Sequence, residues 1–392
     1  MDNLLPSKTI IFLLLFLFLY LYNPLKPDNA KNISRLSSLR KGKFYIKECL
    51  KGTLINTNYK KKYSEPKISA VIPVYNCQDI IKAVIRSIQN QDMSKIEIIL
   101  VNDLSKDNSS KIIEELSLED PRIKIINNQK NMGTLFSRNI GILNSNGKYI
   151  MNLDNDDLFI DKDVFNTVYD EAEEGNYDIL GFAAMDIPNY NPLISQMSHD
   201  YFHNHKDGLF ITQPELNYFP FTRKNKYRPN DYHVWGRLVK TDLYKKAINN
   251  LGITAIGEDR KTQFLSWAED SSMSVVLFYY AESYKYIQKY GIFHYISKKT
   301  ASFTRAYSEK FFSEIFFLDI MYDFTHNSSI AKKYVVEKAK EMRYDDYYNL
   351  NNDKNIIYFK AVLQKIFNCP IVTQKDKVSL MKLYKNLFKK DN

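Results

Sequence analysis

Glycine is scarce, at 12 of 392 residues, which excludes collagen-like and glycine-rich low-complexity sequence. Cysteine is scarcer still. Cys49, Cys77 and Cys369 are the three present, too few for a disulfide framework or a four-thiolate zinc site. The dinucleotide-binding fingerprint G-x-G-x-x-G is missing, and no internal repeat is visible. What is there is a globular mixture, 44% hydrophobic and 26% charged. The net charge is +10, unevenly spread: residues 1–66 carry +8 and 331–392 carry +7, which leaves 67–330 at −5. A nucleic-acid enzyme sets its basic groups beside its working site. Here they flank an acidic middle, so no nucleic-acid partner is expected. The basic flanks either suit an anionic lipid surface or reflect a Lys-rich composition whose charges are solvated.

One long hydrophobic run exists. Residues 10–22 read IIFLLLFLFLYLY, without a charge between Lys8 and Lys26. Extended to Leu25 the segment spans about 25 Å as a helix, close to a thin bilayer. The expectation is a single-pass membrane anchor, a signal-anchor, over 9–25. A cleaved signal peptide and a buried core helix are the alternatives. Orientation signals conflict. Lys26, Lys31, Arg35, Arg40 and Lys41 follow the run and place the bulk in the cytosol, whereas sequons at Asn32, Asn108 and Asn327 matter only in a secretory lumen. The expected localisation is therefore the membrane, with the ER or Golgi lumen preferred to the cytosolic face.

The remainder divides into segments. A short tail, 1–8, precedes the hydrophobic run, and 26–66 reads as a stem or linker. From Lys67 the pattern changes. Apolar runs at 68–74, 96–101, 123–126 and 149–153 read as buried strands. Helical faces at 79–89, 106–118 and 134–143 alternate with them. Strand–helix alternation implies right-handed crossovers and parallel pairing. The segment 67–160 therefore reads as one half of an α/β domain. Residues 161–305 form a second half, irregular and proline-rich at 186–232, with helices expected at 240–249 and 262–280. Residues 306–392 read as a basic, mostly helical extension.

In open α/β sheets ligands bind at the carboxyl ends of strands. Here the first strand ends in Pro73-Val74-Tyr75-Asn76, the second in Asn102-Asp103 and the fourth in Asp154-Asn155-Asp156-Asp157. Carboxylates crowded at one rim are costly unless a cation neutralises them. An Asp-x-Asp suits hard Mg²⁺ or Mn²⁺, with phosphate oxygens completing the shell.

With these motifs in order, the run from KISAVIPVYN through IEIILVNDLSKDNS and NMGTLFSRNIGILNSNGKYIMNLDNDD resembles the nucleotide-binding half of a family 2 glycosyltransferase. The resemblance implies a GT-A fold, a Rossmann-type mixed sheet with flanking helices. It implies a metal-assisted, inverting transfer of a sugar from a nucleotide-diphosphate donor, a UDP-sugar, to a hydroxyl on a glycan, lipid or protein. Pro73, Val74 and Tyr75 would cradle the nucleoside and Asp103 would bind the base edge. Asn131, Gly133 and Arg138 would flank the nucleotide, and Asp154 and Asp156 would hold Mn²⁺ or Mg²⁺ on the diphosphate. The family's Gly-Ser after the base-binding acid is Leu104-Ser105 here, and leucine is expected to avoid positive φ. Glu-Asp pairs at Glu258-Asp259 and Glu269-Asp270 offer a base for the acceptor hydroxyl. Asp270 is preferred and Asp259 is the alternative. Trp235 resembles the segment that supports the acceptor.

Rival readings fit less. A haloacid-type phosphatase would use Asp154 and Asp156 but wants Thr or Val where Leu158 stands. His199 and His203 approximate a zinc-hydrolase motif, with Asp200 in place of its Glu. A non-catalytic binding protein on the same fold is the remaining alternative.

Overall fold

The computed structural model describes residues 45, 47–53, 61–188, 207–217, 233–265, 268–296, 307–325, 329–342, 353–370 and 372–385. The first half alternates as the sequence implies. It runs β1 (Ile68–Val74), α1 (Ile81–Gln89), β2 (Ile96–Asn102), α2 (Ser109–Glu119), β3 (Ile123–Asn127), α3 (Gly133–Leu143) and β4 (Tyr149–Asn152). β1 is buried at every position, as a strand covered on both faces must be. The second half adds β5 (Leu158–Phe159), α4 (Val164–Gly175), β6 (Ile179–Pro188), β7 (Phe210–Thr212), β8 (Arg237–Lys240), α5 (Thr241–Asn249), α6 (Glu269–Tyr280) and β9 (Ser283–Ile296). Four helices close the chain: α7 (Tyr307–Thr325), α8 (Ser329–Glu341), α9 (Asp353–Asn368) and α10 (Gln374–Leu383).

All nine strands join one sheet in the order β3-β2-β1-β4-β8-β6-β9-β5, with β7 pairing β9. β3, β2, β1 and β4 are parallel. β8 then runs antiparallel to both β4 and β6, so the sheet is mixed. Parallel ordering puts the C-terminal ends of β1, β2 and β4 at one rim, which fixes the place of the site. α3 lies so close to the sheet that a Cβ on Gly141 would fall 2.6 Å from Val71 Cγ1. Only glycine permits that approach.

The stem begins to pack before residue 67. Cys49 is fully buried, and the Tyr45 hydroxyl donates to the Ser87 carbonyl at 2.7 Å. The helix expected from 262 starts instead at Glu269. Residues 254–265 are held as a loop, for reasons given below.

The expected single-pass membrane placement is corrected. No helix among the described residues is long and apolar enough to cross a membrane, and the hydrophobic run at 9–25 lies outside them. The 19-residue α7 illustrates why. It carries Glu309, Lys310, Glu314, Asp319 and Asp323, charges that a bilayer-spanning helix excludes. The expected localisation at a membrane, with the ER or Golgi lumen preferred on the strength of the sequons, is corrected with it. Of the sequons, Asn32 and Asn327 also lie outside the described residues, as do His199 and His203.

Candidate active site

The rim is stitched together by its own loops. After β1 the chain turns at Asn76, whose φ is 46°. Asn76 Oδ1 accepts from the Lys106 N–H at 2.8 Å. The Cys77 N–H donates to Ser109 Oγ at 2.8 Å, and the Gln78 N–H donates to Asp107 at 3.0 Å. The loops after β1 and β2 are therefore tied to each other. Leu104 sits in this lattice at φ 61°, contrary to the expectation for a leucine. The neighbouring Ser105 N–H is held by Asn102 Oδ1 at 3.1 Å, so the surrounding hydrogen bonds impose the left-handed turn. Of the three residues expected to cradle a nucleoside, Pro73 and Val74 are buried in β1 and Tyr75 is exposed.

Asp103 faces inward, 4% exposed. Its carboxylate accepts from Asn128 Nδ2 at 2.7 Å, from the Met132 N–H at 2.8 Å and from the Gly133 N–H at 2.8 Å. It thus satisfies the unpaired donors at the positive end of α3. This use was not legible in the sequence, where Asp103 had only a ligand to face. Gly133 takes φ 83°, which lets both amides converge on one carboxylate.

Five residues past Gly133 in the anchored helix stands Arg138. Its guanidinium donates to Asp270 at 2.7 Å through Nη1 and to Asp154 at 2.7 Å through Nη2. The side chain is 3% exposed. Burial works against its charge, but Asp270 and Asp154 push its pKa up. Arg138 therefore joins the Asp-x-Asp after β4 to the acidic pair that opens α6. Asp259, the alternative base, is not brought here. It lies exposed and accepts from the Lys261 N–H at 2.9 Å, capping a short turn. Its neighbour Glu258 pairs with Lys354.

The carboxylates are under electrostatic pressure. Burial, with Asp154 beside it, raises the pKa of Asp156 to about 6, while His294 acts the other way. Burial pushes Asp270 up to about 7, against the opposing pull of Arg138, and Glu269 and Asp154 add to the rise. His294 is a site neighbour that the sequence reading missed. Its ring stacks on Trp235 at 4.9 Å, and His233 stacks on Trp235's ring at 4.5 Å. A histidine at the end of a long strand carries no motif, so only the fold could find it.

A divalent ion fits the Asp154–Asp156 pair in donor type. Arg138 engages one oxygen of Asp154, and burial together with the neighbouring Asp154 raises the pKa of Asp156, so an added cation would favour its charged form. The two side chains supply hard oxygen donors, and no third ligand joins them among the described residues in a ready-made cluster. Phosphate oxygens and water would have to complete such a shell.

The family model for glycosyl transferase family 2 matches residues 69–246. An uncharacterized glycosyltransferase of Bacillus subtilis, EpsJ, is 31% identical over 237 residues, 59% of this chain and 61% of that protein. Glycosyltransferase GlyA of Streptococcus pneumoniae is 31% identical over 202 residues, 50% of this chain and 27% of that protein. The chain thus spans less than two thirds of the length of these relatives. Among solved structures, S. aureus TarS 1-349 in complex with UDP-GlcNAc matches with a TM-score of 0.58 at 16% identity, over 82% of this chain and 90% of that one. At that identity the likeness establishes the fold, a GT-A-like mixed sheet with flanking helices.

Proposed function

We propose, from the match of residues 69–246 to the glycosyl transferase family 2 model, that the chain is a glycosyltransferase of that family and transfers a sugar from a nucleotide-diphosphate donor, a UDP-sugar, to an acceptor hydroxyl with inversion. The observation that carries this reading is the Arg138 bridge. It sets a candidate base, Asp270, and a candidate diphosphate-side acid, Asp154, on the two arms of one buried cation. An inverting displacement needs those two functions on opposite sides of one sugar carbon.

Asp154 and Asp156 would hold Mg²⁺ or Mn²⁺, which supplies charge stabilisation to the departing diphosphate when bound. The protein's own residues do the rest. Asp270 takes the proton from the acceptor hydroxyl as the new glycosidic bond forms. A carboxylate whose pKa is raised toward the working pH suits that role. Arg138 fixes the carboxylate's position without blocking its second oxygen. Tyr75, exposed at the end of β1, is placed to meet the nucleoside. Trp235, between two imidazoles, braces the β8 side of the cleft where an acceptor would enter.

TarS, a fold neighbour, was solved with UDP-GlcNAc and with UDP, which supports a uridine donor here. A glycan, lipid or protein could present the hydroxyl. The test is a donor panel. The full-length protein with Mn²⁺ and a set of nucleotide sugars is expected to release UDP from at least one UDP-sugar, more slowly when the metal is chelated. Tight UDP binding with no turnover of any donor, with or without acceptor extracts, would instead favour a binding protein built on the same fold.

A further inference from the structure

The loop between α5 and α6 is tied down at Arg260, a residue given no role above. Arg260 is 2% exposed. Its Nη1 donates to the Leu251 carbonyl at 2.9 Å. Its Nη2 reaches Asp319 at 2.8 Å and Asp323 at 2.5 Å, both on α7. Asp319 is wholly buried. It also accepts from the Ala255 N–H at 2.9 Å, from the Tyr358 hydroxyl at 2.9 Å and from Lys365 Nζ at 2.7 Å. Lys365 closes the square on Asp323 at 2.7 Å. Two cations and two carboxylates are thus balanced, and Asp319 divides its bonds between the loop and α9. Apolar packing would serve stability as well as such a cluster, whose distinctive property is directional fixing of geometry.

The far end of the same loop lies on the candidate site. A Cβ built on Gly133 would sit 3.1 Å from Phe264 Cδ2 and 3.2 Å from the Leu265 carbonyl oxygen. Leu265 is buried and Phe264 is 45% exposed. Gly133 in turn gives one of the two amides that hold Asp103. A continuous path therefore runs from the C-terminal helices to the rim.

We propose that Arg260 and Asp319 are positioning residues for the donor site. They latch the 252–265 loop so that Phe264 and Leu265 close over Gly133, and the α3 N-terminus and Asp103 keep the geometry that receives the nucleotide. The proposal rests on the donor-site reading given above. It assigns the basic helical extension a task in donor binding, although none of its described residues is among those given a chemical role above.

The full-length protein tests it with Arg260→Lys, Phe264→Ala and the double variant. Arg260→Lys keeps the charge but loses the fork that reaches Leu251 and both aspartates. Phe264→Ala leaves the ion cluster intact. Hydrogen exchange over residues 131–135 is expected to quicken about fivefold or more in each single variant, with β2 unchanged. At temperatures well below melting, the donor KM is expected to rise about tenfold with kcat held within about twofold. The double variant should show no more than the larger single effect, since both act through one contact. Unchanged exchange at 131–135 in Phe264→Ala, or KM effects that multiply in the double variant, would overturn the latch. A lowered Tm in Arg260→Lys with unaltered exchange at 131–135 and unaltered KM would also overturn it, as a purely structural role. Should Arg260→Lys fail to fold, Phe264→Ala decides alone. If the wild type turns over no nucleotide sugar, the donor reading fails, while the exchange readout still decides the latch.

Discussion

Asp270→Asn is expected to lower kcat about a thousandfold, the range in which a positioned general base works, while UDP affinity and Tm stay near wild type. The amide oxygen can still accept from Arg138 Nη1, so the bridge to Asp154 survives the change. What is lost is the negative charge and the basic lone pair. The site invests in both. Asp270 opens α6, where the helix N-terminus favours a carboxylate. Burial then lifts its pKa to about 7, with Arg138 acting against the rise. Single-turnover assays with the donor found by the panel separate the possibilities. A large drop in the chemical step with unchanged donor affinity fits a base. A rise in KM alone would place Asp270 among the binding groups, and full activity would remove it from the mechanism.

Arg138→Met is expected to carry the largest stability cost in the molecule's first half. Methionine fills much of the volume but leaves Asp154 and Asp270 facing one another without their shared cation. Breaking a buried ion pair from one side costs about 3–5 kcal/mol. For a domain of this size that is a fall in Tm of about 10 °C. The pH dependence has a definite sign. Arg138 holds the pKa of Asp270 down, so its loss raises that pKa further above the ordinary carboxyl value. The folded variant then binds more protons than its unfolded chain across the window between those two values. Its stability falls as pH rises through that window. The Tm gap to wild type should therefore narrow on going from about pH 8 to about pH 5. A gap that is constant or widens toward acid would mean the arginine's role is packing.

The donor half was legible because its signals are local. Strands such as Ile68–Val74 and the helix faces between them repeat at short period, and Asp154 and Asp156 directly follow an apolar strand. What the sequence hid is of another kind. Arg138 and Asp270 are 132 positions apart, and no periodicity reports such a pair. Asp103 read as a ligand-facing acid, because nothing local shows that the Met132 and Gly133 amides turn back onto it. Leu104 was expected to avoid a left-handed turn, since no pattern shows that Asn102 Oδ1 takes the Ser105 N–H across it or that Asn76, from the loop after β1, takes the Lys106 N–H. The helix expected from 262 was cut short by Asp319, which is supplied from α7 and draws Arg260 and the Ala255 amide into a loop. The apolar run at the N-terminus lies outside the described residues, among which no helix is long and apolar enough to cross a membrane.

The direct trial of the whole reading is a crystal of the full chain soaked with UDP and Mn²⁺, with anomalous scattering locating the ion. The account predicts one manganese peak within bonding distance of Asp154 or Asp156, the diphosphate on it, and the uracil end toward Tyr75. It also predicts the Asp270 carboxylate on the opposite side of the cavity left for the sugar. Nucleotide and ion bound away from the ends of β1 and β4, or a diphosphate seated with Asp270 on its own side, would contradict it.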